Sequence, residues 1–257
     1  MVAKLVKDDI RLALDRVAFA KELGIVPDQW QADFLHSSSD RVLLNCSRQS
    51  GKSLMCALIA LHRALYHPGS LVLILAPAER QAKELFSKVA HSYRRLGHAV
   101  PQDSYRKMGM ELINGSRIEA LPGTEKTIRS FSGVALLLVD EASRVSDELY
   151  YAVRPMLAVS GGRLIMLSTP YGKRGVFYEA YSGGAGGWER YEVPAVDCPR
   201  ISREFLEEER DSLPLFIFRQ EYECSFEETE DQVFTSELVD RAITDEVKPL
   251  FSEAMGA

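Results

Sequence analysis

A glycine-lysine-serine triplet in residues 45–53 (NCSRQSGKS) is the first group whose types and spacing could do chemistry. It follows an apolar run and precedes a helical pattern, as in a phosphate-binding loop. There Lys52 would bring positive charge to the β and γ phosphates, Ser53 would offer a hydroxyl to Mg²⁺, and Gly51 would permit close backbone approach. Cys46 replaces the usual first glycine. The backbone N–H groups expected to face the phosphates belong to Ser47, Gln49, Ser50, Gly51, Lys52 and Ser53.

Two adjacent carboxylates, Asp140 and Glu141, end a second apolar run at residues 136–139 (LLLV). This is the Walker B pattern, in which Asp140 would hold Mg²⁺ and Glu141 would orient and deprotonate the attacking water. Lys52 and Asp140 are 88 positions apart. That spacing favours the central-strand arrangement of multi-strand motors over the adjacent arrangement of small kinases. The two patterns together predict a nucleoside triphosphatase rather than a chance triplet at an ordinary turn.

Two further polar stretches could complete a nucleotide site. Gln31, in a short predicted helix before the P-loop strand, could read adenine because an amide both donates and accepts hydrogen bonds. Gln29 is its rival, and an ordinary exposed glutamine is the alternative to both. After the apolar run 163–167, Ser168 and Thr169 could contact the γ-phosphate or its water. A plain strand-to-helix turn would also explain that stretch.

These residues need a scaffold, and apolar runs of strand length alternate with helical patterns along the chain. The alternation predicts an α/β fold, a P-loop NTPase core whose mainly parallel central sheet is flanked by helices. Two alternating runs around Asn114-Gly115 predict a hairpin within residues 110–120. The predicted helices span residues 8–23, 27–35, 54–65, 79–96, 202–218 and 219–226, and the predicted strands span residues 42–44, 70–76, 136–140, 163–167 and 188–193.

The chain of 257 residues suits one large domain, or a core with a smaller appendage. No apolar run reaches the length of a membrane span and residues 1–9 lack a signal-peptide core, so we expect a cytoplasmic protein without membrane contact. Four scattered cysteines indicate neither a zinc site nor a disulfide framework. The net charge of −6 argues against coating nucleic acid, although residues 41–129 carry 14 Lys/Arg against 6 Asp/Glu.

The run 182–187 (SGGAGG) predicts a flexible break. We therefore divide the chain into an N-terminal helix and P-loop ATPase core (1–187), a lid subdomain over the nucleotide crevice (188–230) and a linker (231–257). The 87 residues after Pro170 are too few for a second motor domain.

From Trp30 to Phe226 the motifs together resemble the ATPase domain of the large terminase subunit, the genome-packaging motor of tailed bacteriophages. Terminases replace the first P-loop glycine and carry an arginine in the loop, as residues 46–53 (CSRQSGKS) do. Four other stretches carry the resemblance. They are Pro77 with Gln81-Ala82 at the helicase-like segment, 127–133 (TIRSFSG) ahead of Walker B, 168–178 (STPYGKRGVFY) at the coupling motif, and 218–226 (FRQEYECSF) at the end of the lid. In the second of these the family commonly has glycine in place of Ser130.

The resemblance implies that Arg48 senses phosphate from within the loop and that Thr169 couples hydrolysis to movement of the lid. Arg129 would reach the nucleotide of the neighbouring subunit as an arginine finger, an effect worth roughly 10³–10⁵-fold in rate. The rival arginines for that role are Arg144, Arg163 and Arg174.

The same resemblance implies ATP and Mg²⁺ as cofactors and the cytoplasm of the infected bacterial host as the location. Several subunits, five by family resemblance, would form a ring around double-stranded DNA and contact its phosphates without sequence preference. A portal protein and a small terminase subunit are the implied protein partners. An isolated chain could instead be a monomer.

Full-length terminases continue into an RNase H-like nuclease, and the sequence contains no such domain before Ala257. We therefore expect no DNA cleavage, whether the chain is a fragment or the nuclease is a separate chain. The alternatives in function are a helicase-like DNA translocase, which would need a second motor domain, and an ATP-dependent assembly switch, which would not need the base Glu141.

Overall fold

The structure is a computed structural model that describes residues 9–97, 100–122, 131–183, 186–228 and 241–242. Its strands are β1 (Arg41–Cys46), β2 (Leu71–Ala76), β3 (Gln102–Arg106), β4 (Gly109–Leu112), β5 (Arg117–Pro122), β6 (Val134–Asp140), β7 (Arg163–Ser168) and β8 (Glu189–Val193). The helices with defined bounds are α1 (Arg16–Glu22), α2 (Gln29–His36), α3 (Lys52–Tyr66), α4 (Glu79–Arg95), α5 (Asp147–Val153), α6 (Gly175–Ser182), α7 (Arg203–Ser212) and α8 (Leu215–Tyr222). Short 3₁₀ turns span Ala142–Arg144, Arg154–Leu157 and Ala195–Asp197. None of the described helices is long and apolar enough to cross a membrane.

All eight strands form one sheet in the order β3-β4-β5-β2-β6-β7-β1-β8. Every neighbouring pair from β5 to β8 is parallel, whereas β4 pairs antiparallel with both β3 and β5. Parallel neighbours need crossover connections, and α3, α4, α5 and α6 lie on those connections. The predicted α/β fold with a mainly parallel sheet is confirmed.

Alternate residues of the central strands face two separate cores. On β6, Leu136 and Leu138 face the core that α3 and α4 cover, while Leu137 and Val139 face the core that α5 and α6 cover. Side chains on a strand point alternately to its two faces, so a strand covered on both sides needs apolar residues throughout. This is why the central strands could be recognised as uninterrupted apolar runs.

The hairpin around Asn114-Gly115 is confirmed, because β4 and β5 pair antiparallel on either side of it. The predicted helix before the P-loop strand is also confirmed, as α2. Strand β3 was not predicted, because its sequence (QDSYR) is polar and it lies at the sheet edge with most residues exposed. An edge strand of this kind lacks the apolar alternation on which the sequence-based prediction relied.

Two predicted helices are interrupted. The predicted helix 8–23 is broken at Asp15, whose side chain accepts hydrogen bonds from Val17 N (2.8 Å) and Ala18 N (3.0 Å) and so starts α1. Residues 9–14 form the preceding helical segment. The predicted boundary between helices 202–218 and 219–226 is wrong, because α7 ends at Ser212 and α8 begins after Pro214. Proline has no N–H for a helix interior but suits a helix start.

The predicted boundary between core and lid at residues 187/188 does not fit the sheet. Strand β8 was expected in the lid, but it pairs in parallel with β1 from Val42↔Glu189 to Cys46↔Val193. The core therefore extends at least to Val193. The division of the remaining residues into a lid and a linker stays a prediction, and most of residues 231–257 lie outside the described part of the chain.

Candidate nucleotide site

The residues of the two nucleotide motifs meet at one edge of the sheet. Strands β6, β7 and β1 are consecutive neighbours, and their carboxyl ends are level: Asp140 pairs with Leu167, and Ser168 pairs with Asn45. One strand therefore separates Asp140 from the P-loop, as the spacing of the motifs predicted. Ligands of open α/β sheets bind at the carboxyl ends of strands, so this edge is the expected place for a nucleotide.

The P-loop leaves β1 after Cys46 and enters α3 through two left-handed residues, Gln49 (φ 60°) and Gly51 (φ 92°). Backbone bonds fix its outer side to the rest of the domain. Ser47 N donates to Val193 O (2.9 Å), and Arg48 N donates to Glu221 O (3.1 Å). The loop is thus held by the end of β8 and by α8. The N–H of Ser47, which was expected to face the phosphates, instead bonds β8.

Lys52 is 8% exposed, and its ammonium group points back into the loop. Nζ donates to Cys46 O (3.2 Å) and to Ser47 O (3.1 Å). Ser53 follows it in the first turn of α3 and is half-buried. A helix N-terminus with a lysine and a hydroxyl in its first turn is suited to binding phosphate.

Asp140 is 8% exposed at the end of β6. Burial, followed by repulsion from Glu141, raises the pKa of its carboxyl to about 6, and the charge of Lys52 opposes that rise. One of its oxygens accepts a hydrogen bond from Glu141 N (3.0 Å). A buried carboxyl next to a second carboxylate is a suitable ligand for a divalent cation.

Glu141 is half-buried and adopts a left-handed backbone conformation, with φ 49° and ψ 43°. A non-glycine residue in this region is strained, and such strain is often found at functional sites. The turn takes the chain off the strand immediately after Asp140 and into the 3₁₀ turn Ala142–Arg144. Both carboxylates can therefore lie near the crevice although they are consecutive residues.

The segment after Glu141 is hydrogen-bonded to the end of β7. Ser143 Oγ lies 2.6 Å from Ser168 Oγ and donates to Thr169 O (2.9 Å). Thr169 itself is 4% exposed. The guanidinium of Arg144 lies 3.9 Å from the ring centre of Tyr171. The loop that carries the carboxylates and the segment that carries Thr169 are thus directly connected.

Gln31, rather than Gln29, lies against the P-loop. Its Nε2 donates to Ser50 O (3.0 Å), and its Oε1 accepts from Asp28 N (3.1 Å). Gln29 is exposed and bonds Asp33 on its own helix. The observed contacts of Gln31 brace the loop and the start of α2, and recognition of adenine by its amide stays a prediction.

Among the arginines, Arg48 forms an ion pair with Glu221 of α8, with Nε 2.7 Å from Oε2. Arg129 lies outside the described residues. Its rival Arg163 begins β7 at the opposite end of the sheet, where Nε donates to Ser39 O (2.8 Å), so it is far from the crevice edge. Arg144 and Arg174 are exposed and both lie over the ring of Tyr171.

Three residues near the site were not singled out from the sequence. Ser143 and Arg200 belong to no recognised motif, and Glu221 lay within the stretch 218–226 without a role. Each contacts the P-loop or the end of β7 across more than 20 residues of sequence. A single sequence carries no local signal for such distant pairs.

Comparisons with known proteins identify the family and the fold. Residues 43–241 match the family described as "Terminase large subunit, T4likevirus-type, N-terminal". The large terminase subunit of Thermus phage G20c is 27% identical over an aligned length of 253, and the match covers 84% of this chain and 52% of that protein. The chain therefore spans about half the length of this relative.

Solved structures share the fold. The ATPase domain of the Thermus phage P74-26 large terminase has a TM-score of 0.73 at 24% identity and covers 81% of this chain and 97% of that chain. The large terminase of another thermophilic bacteriophage, in complex with ATP-gamma-S, has a TM-score of 0.62 at 10% identity, covering 73% and 48%. With the family match over most of its length, the chain belongs to the family of N-terminal domains of T4likevirus-type large terminase subunits.

Proposed function

We propose that this chain is an ATPase, which converts ATP and water to ADP and phosphate, and that it is the motor domain of a viral DNA-packaging machine. The observation that carries the proposal is the meeting of Lys52, Asp140 and Glu141 at one sheet edge, with β7 between the strands that present them. Membership of the terminase family supports the same activity. The chain spans half of its relatives' length, so the packaging activity of the whole protein is part of the proposal.

The P-loop would hold the phosphates. Lys52 Nζ donates hydrogen bonds to two backbone carbonyls of the loop. When a nucleotide binds, phosphate oxygens would replace these carbonyls as the acceptors. Backbone N–H groups from Gln49 to Ser53 would supply the remaining donors, together with the positive end of α3. Those of Ser47 and Arg48 already donate to Val193 O and Glu221 O. Gln31 lies next to the loop, bonded to Ser50 O, and its amide would contact the base.

Asp140 and Ser53 would hold Mg²⁺. The buried carboxyl of Asp140, with its pKa raised to about 6 beside Glu141, fits a cation because a divalent charge would compensate both burial and repulsion. When bound with ATP, Mg²⁺ neutralises charge on the β and γ phosphates. Glu141 would orient the attacking water and accept its proton.

Coupling to the lid would follow from two contacts. Ser143 joins the loop of Glu141 to Thr169 by hydrogen bonds, and Arg48 joins the P-loop to Glu221 of α8. A phosphate bound near Arg48 would compete with Glu221 for the charge of its guanidinium. The nucleotide state would therefore influence the position of α8, and Thr169 would transmit the loss of the γ-phosphate.

The remaining parts of the proposal rest on family membership alone. Double-stranded DNA would be the moved substrate, held through its phosphates, and binding should therefore weaken steeply with salt. Five subunits would form the ring, with Arg129 acting on the neighbouring nucleotide. A portal protein and a small terminase subunit would be the partners.

The first experiment compares Glu141→Gln with the wild type. We expect kcat to fall by about 10²–10⁴-fold, the usual contribution of a general base, while the Kd for ATP changes by less than about threefold. The matched control is Glu148→Gln, which neutralises an exposed carboxylate in the first turn of α5 and should leave kcat unchanged. A Glu141→Gln variant that still hydrolyses ATP at the wild-type rate would refute the assignment of the base.

The second experiment mixes Glu141→Gln with Arg129→Ala. If Arg129 acts from the neighbouring subunit, each variant alone is inactive and the mixture regains activity as protein concentration rises. A hydrolysis rate proportional to the wild-type protein concentration, together with an active Arg129→Ala variant, would show that Arg129 is not an arginine finger. It would favour a helicase-like translocase or an assembly switch.

A further inference from the structure

The carbonyl of Ser50 receives two hydrogen bonds from outside the P-loop. Gln31 Nε2 donates to it at 3.0 Å, and Arg200 Nη2 donates to it at 2.8 Å. Ser50 is fully buried and directly precedes Gly51, the residue through which the loop enters α3. The two donors come from different parts of the chain, one from α2 and one from the segment between β8 and α7.

Anchoring this carbonyl fixes the direction of the next N–H. The described part of the chain contains no cis peptide bonds, and in a trans peptide the C=O and the following N–H point in opposite directions. With Ser50 O held outward by Gln31 and Arg200, the N–H of Gly51 is aimed away from them. That N–H donates to none of the described residues, so it is available to a ligand.

Arg200 is itself held in place. Its Nη1 lies 2.6 Å from Asp28 Oδ2 at the start of α2, an ion pair by distance although the angle is not that of a hydrogen bond. The side chain is 45% exposed, so it does not fill the core. Neither a catalytic motif nor the packing of the sheet accounts for an arginine that bridges Asp28 and the P-loop.

We propose that Arg200 is a positioning residue that orients the Ser50–Gly51 peptide so that the Gly51 N–H points at the diphosphate of the nucleotide. The inference rests on the proposed ATPase function, and it adds a residue from the segment that leads to α7. Gln31 acts on the same carbonyl, so loss of Arg200 alone should loosen the peptide without releasing it.

Loss of Arg200 should affect the binding of ADP and ATP alike. The N–H of this P-loop position serves phosphates that ADP and ATP share, so both should bind more weakly by the same factor. Partial loss of a charge-assisted hydrogen bond should raise Kd by about tenfold. A contact to the γ-phosphate would affect ATP alone, and a contact to the base would change the preference for ATP over GTP.

The experiment measures Kd for ADP, ATP and GTP by calorimetry with Mg²⁺, in a Glu141→Gln background that preserves ATP. We expect Arg200→Gln to weaken ADP and ATP equally, by about tenfold, and Arg200→Lys to restore part of the loss. The ratio of ATP to GTP affinity should not change. Arg203→Gln, which removes an exposed arginine three residues away, is the matched control and should bind like the background protein.

Unchanged ADP affinity in Arg200→Gln, a loss confined to ATP, or an altered ATP/GTP ratio would each overturn the inference while leaving the ATPase proposal intact. Failure of the Glu141→Gln background itself to bind ADP or ATP would overturn the proposed function instead. Thermal unfolding of each variant shows whether it is folded. If Arg200→Gln were unfolded, Arg200→Lys would carry the test, with a smaller but equal loss for ADP and ATP.

Discussion

Arg48 of the P-loop forms a bidentate ion pair with Glu221 of α8. Arg48 Nε lies 2.7 Å from Oε2 of the carboxylate, and Nη2 lies 3.3 Å from Oε1. The backbone adds a third bond, from Arg48 N to Glu221 O at 3.1 Å. Glu221 is 7% exposed, whereas the side chain of Arg48 is 64% exposed. The arginine expected to sense phosphate is therefore also the residue that holds α8 to the loop.

Glu221→Gln should loosen α8. The substitution keeps the backbone bond but removes the charge, and hydrogen bonds between charged groups are roughly twice as strong as neutral ones. We expect amide hydrogen exchange to speed up within Leu215–Tyr222 and to change little in the central strands. Glu223→Gln is the control, because Glu223 is exposed two residues further on. Equal rates of amide exchange in the wild type and both variants would mean that the ion pair of Arg48 and Glu221 does not hold α8.

The pKa of Asp140 makes stability depend on pH. Its folded pKa of about 6 is above the model-peptide value of 3.8, so the folded protein binds the proton more tightly than the unfolded chain. The free energy of unfolding should therefore fall as the pH rises from about 4 to about 6, and the loss persists at higher pH. Below pH 4 the carboxyl is neutral in both states and contributes nothing.

Asp140→Asn removes the loss of stability that comes from ionising this buried carboxyl. We expect it to raise the free energy of unfolding at pH 7.5 by an amount on the order of 2–3 kcal/mol, and to have little effect near pH 4, measured by urea denaturation without Mg²⁺. Asp211→Asn, at an exposed position of α7, is the control. Greater stability of Asp140→Asn at both pH values would point to packing rather than charge.

The contact between Ser143 and Ser168 should show energetic coupling. Each alanine variant leaves the other hydroxyl without its 2.6 Å partner, at a cost of about 1 kcal/mol. Because the two substitutions remove the same interaction, the double variant should be less destabilised than the sum of the single ones. Ser143→Ala combined with Ser92→Ala, on the other face of the sheet, is the additive control, and additivity for Ser143 and Ser168 would contradict the coupling.

The residues that could be identified from sequence share a local pattern. Lys52 and Asp140 each lie at the end of an apolar run, and that run is itself the buried strand that positions the residue. The spacing of the two motifs also predicted that their strands are not adjacent, and β7 lies between β6 and β1. In these cases hydrophobic periodicity and a short motif report on the same few residues.

The features that could not be predicted depend on distant partners. Strand β8 reads as a short alternating run, and nothing local distinguishes an edge strand of the core from a strand of the lid. Arg200 and Glu221 are single charged residues to which no motif assigned a role, and a solvated surface is the default interpretation of such residues. Their contacts with the P-loop arise only when β8 and α8 pack beside β1.

Substitution of Gly51 tests how closely Gln31 packs on the P-loop. A Cβ at this position would lie 2.7 Å from Gln31 Nε2, and the backbone has φ 92°, a conformation that favours glycine. Gly133 provides a matched control with φ 69° and open space within 4 Å. We expect Gly133→Ala to lower the free energy of unfolding by about 1–2 kcal/mol through backbone strain alone.

Gly51→Ala should cost more than Gly133→Ala, because the steric overlap adds to the strain. Adding Gln31→Ala removes the overlapping amide but also its bonds to Ser50 O and Asp28 N. The double variant should therefore be less destabilised than the sum of its two single variants, yet still less stable than Gly133→Ala. Chemical denaturation of the four variants measures this. If Gly51→Ala and Gly133→Ala cost the same, the amide of Gln31 moves aside freely and does not brace the loop.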